Sequence, residues 1–141
     1  MTVQIATRPY GPSSTPEEIA ALKERVYVLS PGVIMYREVP IQTVFQLDRF
    51  EEKLNELAAA VEGYALVIDL TEAEVPGAAI RARLKKLFGG QPKLGRTVVY
   101  TGKNFMLNVA AKFVLGGAGL RSFSVHKTRE QALDALAALA S

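Results

Sequence analysis

A chain of 141 residues, almost half of them hydrophobic, has the size of one domain and buries enough surface to fold unaided. With no cysteine and a single histidine it excludes disulfides, thiolate zinc sites and Cys–His catalysis. Its net charge of +3 is segregated: residues 1–74 hold twelve acids and six bases, whereas residues 75–129 hold eleven bases and no acid.

The stretch Tyr10-Gly-Pro-Ser-Ser-Thr-Pro16 consists of turn formers. It predicts an N-terminal arm over residues 1–22, flexible or ending in a short helix that Thr15 caps and Pro16 opens. The first ten residues lack the basic start and apolar core of a secretion signal, and no run reaches the ~18 apolar residues that span a bilayer. A cytoplasmic protein is expected.

Residues 23–141 predict one α/β domain. Val26–Ser30 and Val33–Tyr36 flank the turn dipeptide Pro31-Gly32 and read as a hairpin. Thr43-x-x-Gln46 is a capping box, and Phe50, Leu54, Leu57 and Val61 follow at helical spacing, predicting about five turns up to Gly63. Ala65–Leu70, apolar except for Asp69, reads as a strand covered on both faces. Pro76-Gly77 opens a helix with Ile80, Leu84, Leu87 and Phe88 as its buried stripe, and Gly89-Gly90 stops it. Arg96–Tyr100 is a short strand, Lys103–Leu115 a helix ended by Gly116-Gly117, and Ser122–Val125 a last strand. Thr128-x-x-Gln131 caps a final helix through Leu133, Leu136 and Leu139. Strands alternating with helices favour a parallel or mixed sheet under covering helices.

Leu66-Val-Ile-Asp69-Leu70-Thr71 followed by helix, strand and helix, then Phe123-x-Val125 and Glu130-Gln-Ala-Leu133-Asp-Ala-Leu136, resembles the sulfate transporter and anti-sigma factor antagonist (STAS) superfamily. The likeness covers about residues 25–140 and is to the divergent branch described as anti-sigma-antagonist-like or lipid-transfer-like. It implies a STAS-like mixed sheet of about five strands, with an N-terminal hairpin and about four covering helices. It also implies a bacterial regulatory domain that acts by protein–protein contact. Phosphoregulated members carry an Asp-Ser-Ser-Gly-like helix start with a phosphorylated serine. Here Thr71-Glu-Ala-Glu-Val-Pro-Gly77 has no serine before Gly77, so that switch does not carry over, and Thr71 matches the strand end instead.

His126 is the sole candidate base and sits beside Lys127 and Arg129, which oppose its protonation; a non-enzymatic domain is expected. No cofactor is expected, and no acids fall at metal-loop spacing. Arg81, Arg83, Lys85 and Lys86 share the face opposite the buried stripe of the 77–88 helix. With Lys93 and Arg96 they place six bases in sixteen residues, either a solvated face or a docking site for an acidic partner protein. Nucleic acid and anionic lipid fit less well, since no aromatics interleave the bases. The 103–115 helix is apolar nearly all round: Met106, Val109, Ala110 and Phe113 on one side, Leu107, Ala111, Val114 and Leu115 on another. Such a helix is buried on several sides, lines an apolar cavity or forms a dimer contact.

The leading expectation is a regulatory or scaffold domain that docks a partner through Arg81, Arg83, Lys85, Lys86 and Lys93, with Leu107 as apolar anchor and Lys112 beside it. The alternative is a carrier or sensor of a small apolar or anionic ligand between the sheet and the 103–115 helix. That ligand would be held at Asp69, Thr71, Thr101, Gly102 and Lys103, where open α/β sheets bind ligands. Asp69 has a plainer reading as a cap, and Thr101-Gly102 as a tight turn.

Overall fold

A computed structural model describes residues 9–139. The elements run α1 (Pro16–Lys23), β1 (Val26–Ser30), β2 (Val33–Arg37), α2 (Val44–Ala58), β3 (Tyr64–Asp69), α3 (Ala78–Gly89), β4 (Leu94–Tyr100), α4 (Phe105–Gly117), β5 (Phe123–His126) and α5 (Arg129–Leu139). They form an α/β fold on one five-stranded mixed sheet in sequential order, with β1 and β2 antiparallel and every later pair parallel. The leading hairpin turns at Gly32, whose φ of 76° is one that side chains disfavour. No described helix is long and apolar enough to cross a membrane.

Register explains the layers. Tyr36, Ile68, Val99 and Val125 lie in one cross-strand row, and Met35, Val67, Val98 and Ser124 in the next, on the opposite face. The first face carries the main core, in which Tyr36 meets Phe50 of α2 edge-on at 4.9 Å and Phe88 of α3 lies 5.5 Å away. The second face is closed by α5 through Ala132, with Leu133 and Leu136 beside it. Three consecutive crossovers of one hand put α2, α3 and α4 side by side on the first face. That row ends at α4, which packs on α3 and β5 and has no helix on its other flank among the described residues.

The capping residues read from the sequence cap as expected: Thr15, Thr43 and Thr128 accept the N–H of Glu18, Gln46 and Gln131. Asn104, not read as a cap, accepts the N–H of Leu107 at the start of α4. The described part of the arm belongs to the domain: Tyr10 is buried, Thr43 Oγ1 donates to its carbonyl at 2.8 Å, and Leu22 of α1 is fully enclosed. Residues 1–8 and 140–141 lie outside the described residues. Several boundaries shift by a residue or two, and two helices end elsewhere than expected. α2 stops at Ala58, a turn early, where Lys93 Nζ donates to the carbonyls of Ala58 and Val61, both at 2.9 Å. α4 runs through Gly116 and Gly117, since neither needs a positive φ and glycine weakens a helix without forbidding it.

Candidate docking interface

α4 divides along its length. Leu107, Ala111, Val114 and Leu115 point inward, and Leu107 is only 3% exposed. On the outer side Phe105 is 74% exposed, Met106 58%, Val109 44% and Phe113 56%. These four lie at i, i+1, i+4 and i+8, one continuous stripe on a helix surface. Leu107 is therefore a core residue and not the exposed anchor expected of it; the apolar surface belongs to its neighbours.

The basic residues separate into two kinds. Arg83 is a structural clamp: its Nη2 donates to Asp48 Oδ1 at 2.8 Å and to Glu51 Oε1 at 3.0 Å, tying α3 to α2. Lys93 caps α2. Arg96 lies along β5, donating to Ser122 and Ser124 hydroxyls at 3.2 and 3.3 Å. Arg81, Lys85, Lys86 and Lys112 form no ion pair with a described acid, and Lys86 and Lys112 are exposed. Lys85 Nζ sits 3.8 Å from the Phe113 ring centroid, and the Arg81 guanidinium carbon lies 5.9 Å from the same ring. Two cations therefore share one aromatic face at the junction of α3 and α4.

The residues expected to hold a small ligand are engaged with each other. Asp69 Oδ1 accepts Thr71 N–H at 2.9 Å and Thr71 Oγ1–H at 2.6 Å, and its other oxygen lies 3.6 Å from Arg37 Nε. Burial, and then the Asp69 carboxylate beside it, push the Tyr100 phenol up to about 12. Thr101 and Gly102 N–H donate to the carbonyls of His126 and Lys127 at 3.0 and 2.9 Å, so neither faces an anion. Gly102 has a φ of 69°, the tight-turn reading. Lys103 is exposed. Ser124 Oγ lies 2.7 Å from His126 Nε2, and burial with nearby Arg96 lowers the ring's pKa. Among the described residues no group of three or more potential metal ligands converges.

A cavity of about 40 Å³ lies elsewhere, between the sheet and the inner face of α4, lined by Ile68, Leu84, Phe88, Leu107, Ala111 and Val114 among others. Tyr36 and Glu38 also border it. Glu38 is fully buried: its Oε1 accepts Val39 N–H at 3.0 Å and Gln46 Nε2–H at 2.8 Å, and its Oε2 accepts Tyr36 Oη–H at 3.1 Å. These three donors favour the ionised form, but desolvation outweighs them and raises the carboxyl from 4.5 to about 7.

Comparison with family models, with characterised proteins and with solved structures gives no match. The reading of the site therefore rests on this chain's own residues. Sequence reasoning named the cations at 81, 85, 86 and 112 and grouped Met106, Val109 and Phe113 on one apolar side, but it left out Phe105 and took Leu107 as the exposed anchor, because the two look alike until the end of the helix row is located. Glu38 was missed too. Its one signal was an acid two residues beyond the apolar run 33–36, between Arg37 and Val39.

Proposed function

We propose that this protein is a non-catalytic regulatory or scaffold domain, acting in the cytoplasm, that docks an acidic partner protein on the α3–α4 face. The observation that carries the reading is the exposed stripe Phe105, Met106, Val109 and Phe113 with Arg81 and Lys85 on its Phe113 end and Lys112 on the same helix, none of them paired with a described carboxylate. An apolar strip that leaves water on association supplies affinity, and the basic border speeds encounter and selects acidic surfaces. The resemblance to the STAS superfamily supports the same reading, since those domains act by protein contact. A second copy of this chain is a poorer occupant, because like-charged borders would face each other.

The test is affinity capture from a native lysate using the wild type beside two variants, Arg81→Glu/Lys85→Glu and Phe105→Ser/Phe113→Ser. The proposal expects a protein retained by the wild type and lost by both variants, with the wild-type yield falling as salt rises. Retention of the same proteins by all three would refute it. Concentration-dependent dimers in sedimentation would reassign the face to self-association.

The cavity favours a second reading, a carrier or sensor of a small apolar ligand. At 40 Å³ it has room for roughly three water-sized groups, so it fits only a small ligand. A ligand at a hundred times its Kd adds about 2.7 kcal/mol of stability, a shift any thermal-melt panel of small apolar compounds detects. No shift across such a panel removes this reading.

A further inference from the structure

Resting on the docking reading above, the geometry points to an occupant of definite polarity: an amphipathic helical segment of a partner protein whose acidic residues lie about two turns from its apolar anchors. The face is not uniform. Phe105 and Met106, the most exposed of the stripe, stand in the first turn of α4, whereas Phe113 lies in its last turns under two cations. Eight residues of helix separate Phe105 from Phe113, about 12 Å along the axis. An apolar seat and a cationic seat are therefore about 12 Å apart on one helix, a spacing that a second helix packed alongside α4 meets with residues two turns apart.

The cationic seat is built rather than incidental. Arg81 Nη1 donates to the Pro76 carbonyl at 2.8 Å, which orients its guanidinium. Lys85 lies in a trough left by Gly117: a Cβ there would meet Lys85 Cε at 2.7 Å. Both cations lean on Phe113, and neither has a described carboxylate partner. Two like charges on one ring repel each other, and a carboxylate placed between them relieves that repulsion. The missing acid is thus what this seat selects. A flat anionic membrane fits less well, because two cations are gathered on one ring at the Phe113 end while Lys103 stands alone near the Phe105 end.

The experiment is selection of random 16-residue peptides displayed on phage against the full chain. Amide-shift mapping of the enriched peptides follows, then their affinity for wild type, Lys85→Gln, Gly117→Ala and, as a remote control, Lys127→Gln. The expected peptides carry apolar residues at helical spacing and Asp or Glu about two turns away, and shift resonances of α3 and α4. Lys85→Gln should weaken binding about tenfold. Gly117→Ala should weaken it several-fold by displacing Lys85 while the melting temperature stays put, and Lys127→Gln should leave it unchanged. Peptides that map to α4 without acidic preference, or that bind Lys85→Gln equally well, overturn this inference and leave the docking reading standing. Selection that yields no peptide on α3–α4 overturns both. Binding to vesicles with 30% phosphatidylserine that Phe105→Ser abolishes, with no acidic peptide enriched, assigns the face to membrane and also overturns both.

Discussion

Replacing Glu38 by glutamine should stabilise the protein much more at pH 8 than at pH 5. The carboxyl is wholly enclosed, and burial lifts it from 4.5 to about 7. A raised pKa means the folded state holds the proton more tightly than the unfolded state. The stability that protonated Glu38 contributes is full below pH 4.5 and drains away as pH rises through 7. The interval between those values corresponds to about 3 kcal/mol. Glutamine keeps Oε1 to accept Val39 N–H and Gln46 Nε2–H, and its amide can donate to Tyr36 Oη, so it copies the protonated acid without titrating. Urea denaturation of both proteins at pH 5, 6, 7 and 8 isolates the effect, because every other titrating group cancels in the difference. The gap should open from about 1 kcal/mol at pH 5 to about 3 kcal/mol at pH 8 in favour of Glu38→Gln, or roughly 10 °C in Tm for a chain of this size. A constant gap across this range, or a glutamine variant weaker at every pH, would refute the reasoning.

Arg83→Ala should cost roughly 1–3 kcal/mol in urea denaturation, since it leaves Asp48 and Glu51 without their shared partner, whereas Lys86→Ala should stay within about 0.5 kcal/mol. Equal effects would mean that Arg83 is no clamp. Leu107→Ala should lose about 2–5 kcal/mol and Phe105→Ala less than about 0.5, a contrast that thermal melts resolve easily. Matching losses would place Phe105 in a core. Gly102→Ala, at a φ of 69°, should cost about 1 kcal/mol, while Gly116→Ala, helical and with open space around its Cβ position, should gain up to about 1 kcal/mol by the same measurement.

Much of this architecture is legible in local chemistry. Thr15, Thr43 and Pro31-Gly32 mark starts and turns by their own hydrogen bonds and backbone preferences, and the apolar run 65–68 announces a strand covered on both faces. What is not local is not legible. Arg81, Arg83 and Lys85 are equivalent on a helix until the acids of α2 arrive beside Arg83, residues 48 and 51, which sequence spacing does not bring near. Phe105 and Leu107 are equivalent until the helix row ends. The cavity did fall between sheet and α4, as the alternative expectation had it, but Asp69, Thr71, Thr101 and Gly102 turned to each other and to β5 instead of lining it. Strand ends gather polar residues both to bind ligands and to close turns, and only the geometry separates the two.

The most direct test of the α3–α4 docking face is site-specific photocrosslinking in cells, with a benzophenone amino acid placed at Val109 in one strain and at Asp134, on the exposed side of α5, in another. The account predicts a discrete heteromeric adduct from Val109 that disappears when Lys85→Glu is added, and none from Asp134. Adducts from Asp134 alone, or a Val109 adduct indifferent to Lys85→Glu, would contradict it.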